Sequence, residues 1–176
     1  MKKFILPLLL FILLTPTLLI LYVLQNTEID DLVICATNEE SDLIPMKACS
    51  YYLMNYRANE KDIQNLENQA GLGFLLNIEN KETRNTLIKL FIENGIDINK
   101  PSNIDGLPAI QGAILLNDSD LVEILLENNA SISQKNTLNG LNAIEFINLL
   151  KSKKPSVDRS MVESLVQTKH ITSGSR

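Results

Sequence analysis

The sequence predicts an all-α protein, a row of about three to four helix-turn-helix units behind one long apolar N-terminal helix. Three observations carry that expectation. Residues 105–136 read as two short helices around a tight turn, and related patterns recur 34 residues earlier and later. Phe4 to Leu24 is a run of 21 residues without a charge. The composition, 45% hydrophobic but only 5% aromatic and without Trp, suits stacked aliphatic helices better than an aromatic-rich sandwich.

In the central unit the first helix is expected from about Pro108 to Leu116, with Pro placed where the first helical N–H has no intrahelical partner. Asn117 breaks the pattern. Asp118, Ser119 and Asp120 then offer oxygens to cap a second helix and negative charge for its dipole. Leu121, Val122, Ile124, Leu125 and Leu126 give that helix a wide apolar face, and Leu125 is expected in the core. Asn129 follows its end, where Gly is usual and Asn next because both tolerate the left-handed conformation. Helices this short cannot bury such a face alone, so the unit needs neighbours.

Those neighbours are repeats. Leu87 to Gly95 aligns without a gap on Leu121 to Asn129, and Asn139 to Ile144 aligns on Asp105 to Ile110. A period near 33 of turn, helix, turn and helix has a known family signature, and the chain resembles an ankyrin-repeat protein over roughly residues 70–170. The family's D-G-x-T-P-L-H-x-A stands here as Asp105-Gly106-Leu107-Pro108-Ala109-Ile110-Gln111-Gly112-Ala113, so Thr-Pro is replaced by Pro108-Ala109 and His by Gln111. The resemblance implies an ankyrin-like helical repeat solenoid.

At the N-terminus, Met1-Lys2-Lys3 precedes the apolar run. As helix, that run is roughly 30 Å long, enough for a bilayer core, and kinks at Pro7 and Pro16 are tolerable there. An uncleaved transmembrane anchor is therefore expected over residues 1–25. A cleaved signal is the alternative, but it would have small residues where Leu21 to Asn26 stand. Lys2 and Lys3 would remain cytoplasmic, so the expected location is a bacterial inner membrane, single pass, with the C-terminal domain in the periplasm. Residues 26–45 read as an acidic tether and 46–170 as the repeat domain, of which about 46–80 is a cap and degenerate first repeat. Residues 171–176 read as a disordered tail.

Tyr51, Tyr52 and Tyr56 cluster in the cap, the last two on one helical face. An amphipathic end cap and an aromatic ligand site both fit them. Cys35 and Cys49 are the only cysteines. In an oxidising compartment they can form a disulfide contributing about 3 kcal/mol in the chain-entropy model; two free buried thiols are the alternative. With His170 as the single histidine, neither a zinc site nor a nucleophile–base pair assembles. Asp118 and Asp120 read as helix caps, and Gly71-Leu72-Gly73 lacks the context of a phosphate loop. No enzyme, metal or cofactor is expected. The net charge of −5 argues against nucleic acid as a partner.

The last repeat carries about six extra residues between its helices, around Lys151, Lys153 and Lys154, and insertions of this kind map to surface loops. Function is expected in the turns between repeats. In ankyrin-type stacks these turns and the first-helix faces bind proteins, and here they run from Asn99 to Asp105 and from Gln134 to Asn139. The partner-binding residues expected are Lys100, Ser102, Asn103, Asp105, Lys135, Asn136 and Asn139. Small size, anchor, acidic charge and missing active site are similar to membrane-anchored bacterial immunity proteins, including ankyrin types paired with phospholipase effectors of type VI secretion. That resemblance implies a periplasm-facing module that neutralises a secreted toxin. A membrane-tethered adaptor for envelope or division components is the alternative.

Overall fold

The computed structural model describes residues 2–38 and 44–173, with side chains in the first helix described from Leu14 onward. Among the described residues every regular element is helical. The chain divides into two compact units, residues 1–57 and 58–176.

The first unit holds α1 (Lys2–Asn26), α2 (Ile29–Thr37) and α3 (Met46–Tyr56). The all-α class stands, but the transmembrane helix expected before the repeats is corrected. No helix among the described residues is long and apolar enough to cross a membrane. Residues 14–26 rise about 20 Å as helix, against a hydrocarbon core of ~30 Å; the side chains of 4–13, the rest of the expected span, lie outside those described. The single-pass inner-membrane location with a periplasmic domain loses its support with that span.

The segment expected as a tether carries α2. Asp30 and Asp31 lie in its first turn, where the dipole favours negative charge. Ile29, Leu32, Val33 and Ala36 are buried at the spacing of one helical stripe. Residues 39–43 of that segment lie outside the described residues. Helix α2 packs on α3, where Cys49 and Leu53 are buried, and a Cys35–Cys49 disulfide joins the two helices. Arg57 donates to Leu24 O at 2.9 Å and to Thr27 O at 3.0 Å. It sets a cation on the carbonyls at the end of α1, where the helix dipole favours one. On α3, Tyr51 and Tyr56 are exposed and the rings of Tyr52 and Tyr56 lie 5.3 Å apart.

The second unit runs α4 (Glu60–Glu67), a 3-10 segment (Gly71–Asn77), α5 (Lys81–Glu93), α6 (Ala109–Leu116), α7 (Ser119–Glu127), α8 (Ala143–Lys153) and α9 (Ser160–Ser173). The 3-10 segment packs with α5, α6 with α7, and α8 with α9. The first members of these pairs are neighbours in one row, because α6 touches both the 3-10 segment and α8. Local sequence explains the boundaries. Asp118 accepts from Leu121 N at 3.1 Å and so caps α7. Asn117 and Asn129 adopt the left-handed conformation, at φ 58° and 67°, which Asn tolerates better than most residues. Leu121, Val122, Leu125 and Leu126 are buried on α7, and Leu87, Ile88 and Phe91 on α5. Helix α9 continues to Ser173, so the expected tail is helical up to that residue; residues 174–176 lie outside the described residues.

Candidate functional site

The two turns singled out in the sequence are built alike. Ser102 N donates to Leu107 O at 3.0 Å, and Asn136 N to Leu141 O at 3.0 Å. These closures are 34 residues apart. Each turn passes through a glycine at φ 72°, Gly106 and Gly140, a conformation available to Gly without a Cβ penalty. Ser102 Oγ accepts from Ile104 N and Asp105 N at 3.1 and 3.3 Å. Asn136 Oδ1 does the same for Asn139 N and Gly140 N at 2.9 and 3.1 Å. A hydroxyl in one repeat and an amide in the next therefore satisfy the same kind of tight turn.

The turns lie side by side. Thr137 N donates to Gly106 O at 2.9 Å, and Asn103 N donates to Gln69 O at 2.9 Å. One ridge thus runs from the end of α4 across both turns. Beneath it Gln111, at the family's His position, is fully buried. Its Nε2 donates to Gln134 O and Leu141 O, while its Oε1 accepts from Asn136 Nδ2 at 2.7 Å.

These bonds sort the seven expected partner-binding residues. Ser102 and Asn136 are buried, at 5% and 3% exposure, with their side chains bonded inside the ridge, so they cannot form its contact surface. Lys100 is half-buried and pairs with Glu67 at 3.0 Å. The exposed Asn103 donates to the carbonyls of Glu67 and Asn68 at 3.3 and 3.2 Å. Glu67 is held below the usual carboxylate range. Burial pushes it upward, but hydrogen bonds from Asp97 N and Lys100, with the charge of Lys100, outweigh that. Asp105, Lys135 and Asn139 are exposed.

Two residues that sequence reasoning passed over stand out at the turn tips. Ile104 is 73% exposed and Leu138 69%. They occupy equivalent places 34 residues apart, in turns joined by the Thr137–Gly106 bond. The available signal was a large aliphatic residue recurring in turns that are otherwise polar. Behind the ridge, Leu115 and Leu116 at the end of α6 are about half exposed, beside a groove that opens between α6 and the 3-10 segment. His170 lies exposed on α9. Asp118 and Asp120 are engaged in ion pairs with Arg84 and Lys81.

No family model matches the chain, and no curated protein or solved structure matches it either.

Proposed function

We propose that the second unit is a protein-binding module whose contact surface is the ridge of turns at 99–106 and 133–140, with Ile104 and Leu138 as its apolar anchors. The observation that carries this reading is the exposure of that pair at equivalent turn tips. A single exposed aliphatic residue is ordinary, but these two recur at equivalent tips of turns joined by the Thr137–Gly106 bond, and apolar groups that share a surface mark interaction sites. Asp105, Lys135 and Asn139 supply a polar rim around the anchors, as interfaces of this kind have. The resemblance to ankyrin-repeat proteins supports the same surface, since turns between repeats serve there as the binding edge. With the anchor withdrawn, small size and acidic charge are what remains of the likeness to immunity proteins. On that likeness the partner is a toxic effector, such as a phospholipase, that this chain occupies without catalysing a reaction.

The test is calorimetric titration of the full chain against purified products of neighbouring genes, a phospholipase-type effector first where one is encoded. Ile104→Ser with Leu138→Ser should weaken binding by at least about tenfold, since anchors at an interface centre each contribute more than ~1 kcal/mol. Lys153→Glu with Lys154→Glu, at the C-terminal end of α8, serves as control and should leave affinity unchanged. The reverse pattern would move the interface to that end of α8 and sink the ridge assignment.

A further inference from the structure

The groove behind the ridge owes its shape to two glycines. A Cβ on Gly112 would stand 2.7 Å from Leu76 Cδ1, the tip of a flexible side chain, so a larger residue there would push Leu76 aside and reshape the groove. A Cβ on Gly73 would meet nothing within 4 Å, which leaves open space above it. The result is a cavity of about 80 Å³ walled by Leu76, Leu115 and Leu116. One water needs about 10–15 Å³ of such space, so the groove admits a group of several heavy atoms, such as a branched aliphatic side chain.

The ridge end of the groove carries Asp105, the one charged side chain in its lining. Asp105 Oδ1 accepts from Leu107 N at 3.0 Å, which fixes the carboxylate. Among the described residues Asp105 forms no ion pair. Lys100, five positions earlier, is engaged by Glu67 instead. An aliphatic slot with an oriented, uncompensated carboxylate at its mouth has definite complementary chemistry.

Resting on the protein-binding reading above, we propose that this groove takes an extended partner segment in which a branched aliphatic residue is followed by Lys or Arg. The aliphatic side chain enters above Gly73, and the cation pairs with Asp105. A carboxylate in the second place is rejected by like charge.

The probes are two capped octapeptides that differ only in a central Leu-Lys or Leu-Glu, titrated into the full chain labelled with nitrogen-15. The Leu-Lys peptide should bind about tenfold more tightly, as a charge-assisted contact implies, and shift the amides of Gly73, Asp105 and Leu116. Asp105→Asn should bring the two affinities together. Gly73→Leu should abolish binding of both peptides with an unchanged Tm, and Leu115→Glu at the exposed wall should do likewise. Equal affinities for the two peptides, shifts confined to other residues, or no binding at millimolar peptide would each overturn the proposal. So would a dimer of the full chain that Gly73→Leu converts to monomer, because the occupant would then be a second copy. Failure here with partner binding still lost in the Ile104/Leu138 variant removes the groove and leaves the ridge. Peptide binding as expected with the ridge variant at full affinity removes the ridge instead.

Discussion

The two edges of the second unit are held in different ways. Along the edge formed by the turns within helix pairs, side chains bridge from one pair to the next. In the first turns of α5, Arg84 reaches Asp118 at 2.9 Å and Lys81 reaches Asp120 at 2.9 Å. Asn117 Nδ2 donates to Asp158 O at 2.9 Å, and Arg159 donates to Ile114 O at 2.7 Å. Along the ridge, successive turns are joined by backbone bonds, Asn103 N to Gln69 O and Thr137 N to Gly106 O. Side-chain bonds from Asn99, Lys100 and Asn103 join them too, and none of these uses the tip residues Ile104 and Leu138. Ser102 and Asn136 close their own turns, and the tips point away. At the first edge a changed side chain disturbs the stack. At the ridge tips it changes what the surface offers a partner.

The largest expected effect tests the stitched edge. Arg84 and Asp118 expose only 7% and 18% of their side chains, so removing one partner strands a poorly solvated charge. Arg84→Met should cost about 3 kcal/mol in urea melts, the lower end for breaking a buried pair. Lys81→Met breaks a pair with both partners more than half exposed, and such pairs matter little. If both variants lost stability equally, burial would not be what separates the two pairs.

The next effect lies inside the ridge. Asn136→Ala removes the acceptor for two N–H groups and leaves the buried Gln111 Oε1 without its donor. A loss of about 2–3 kcal/mol is expected. Ser102→Ala leaves only Ile104 N and Asp105 N, in a turn that water can reach, and should cost about 1 kcal/mol. Thermal melts that rank Ser102→Ala above Asn136→Ala would show that the two turns are not equivalent in construction.

What could be read from the sequence follows the same division. Helix α7 was legible because its apolar stripe, its Asp118 cap and its left-handed Asn129 are local signals that share one period. The ridge was legible as a location, since equivalent turns of a repeat must lie together. Its residues were harder to sort. Ser102 and Asn136 look like contact residues in a polar turn, and nothing in sequence shows that their own backbones use them. Ile104 and Leu138 were hidden because the turns around them read as polar. Helix α2 was missed because four buried residues among acidic neighbours make a weak stripe, and its partner α3 begins beyond residues 39–43. The anchor rested on an unbroken apolar run, which measures hydropathy along the chain rather than a described membrane-spanning helix.

At the ridge tips a near-zero stability effect is expected. Ile104→Ser and Leu138→Ser should each alter stability by no more than about 0.5 kcal/mol, as surface changes do, although partner affinity falls. A larger loss in either melt would mean that the tip supports the fold.

A small, pH-dependent effect is expected where, among the described residues, the ridge edge uses an ion pair. Glu67 at the end of α4 accepts from Asp97 N at 2.8 Å and from Lys100 at 3.0 Å, and these contacts hold its carboxyl below the usual range. A carboxylate with a lowered folded pKa adds stability above its unfolded value, near 4.3, and loses it as pH falls through the folded value. Wild type should therefore exceed Glu67→Gln by a constant margin from pH 7 to about 5, and the margin should shrink below about 4.5. Lys100 is 36% exposed in the pair, so solvent screens it and the margin should be about 1 kcal/mol or less. Added salt should reduce it further. If Glu67→Gln instead cost as much as Arg84→Met, the ridge would be pinned by charge as firmly as the opposite edge, and the separation between binding tips and stitched turns would not hold.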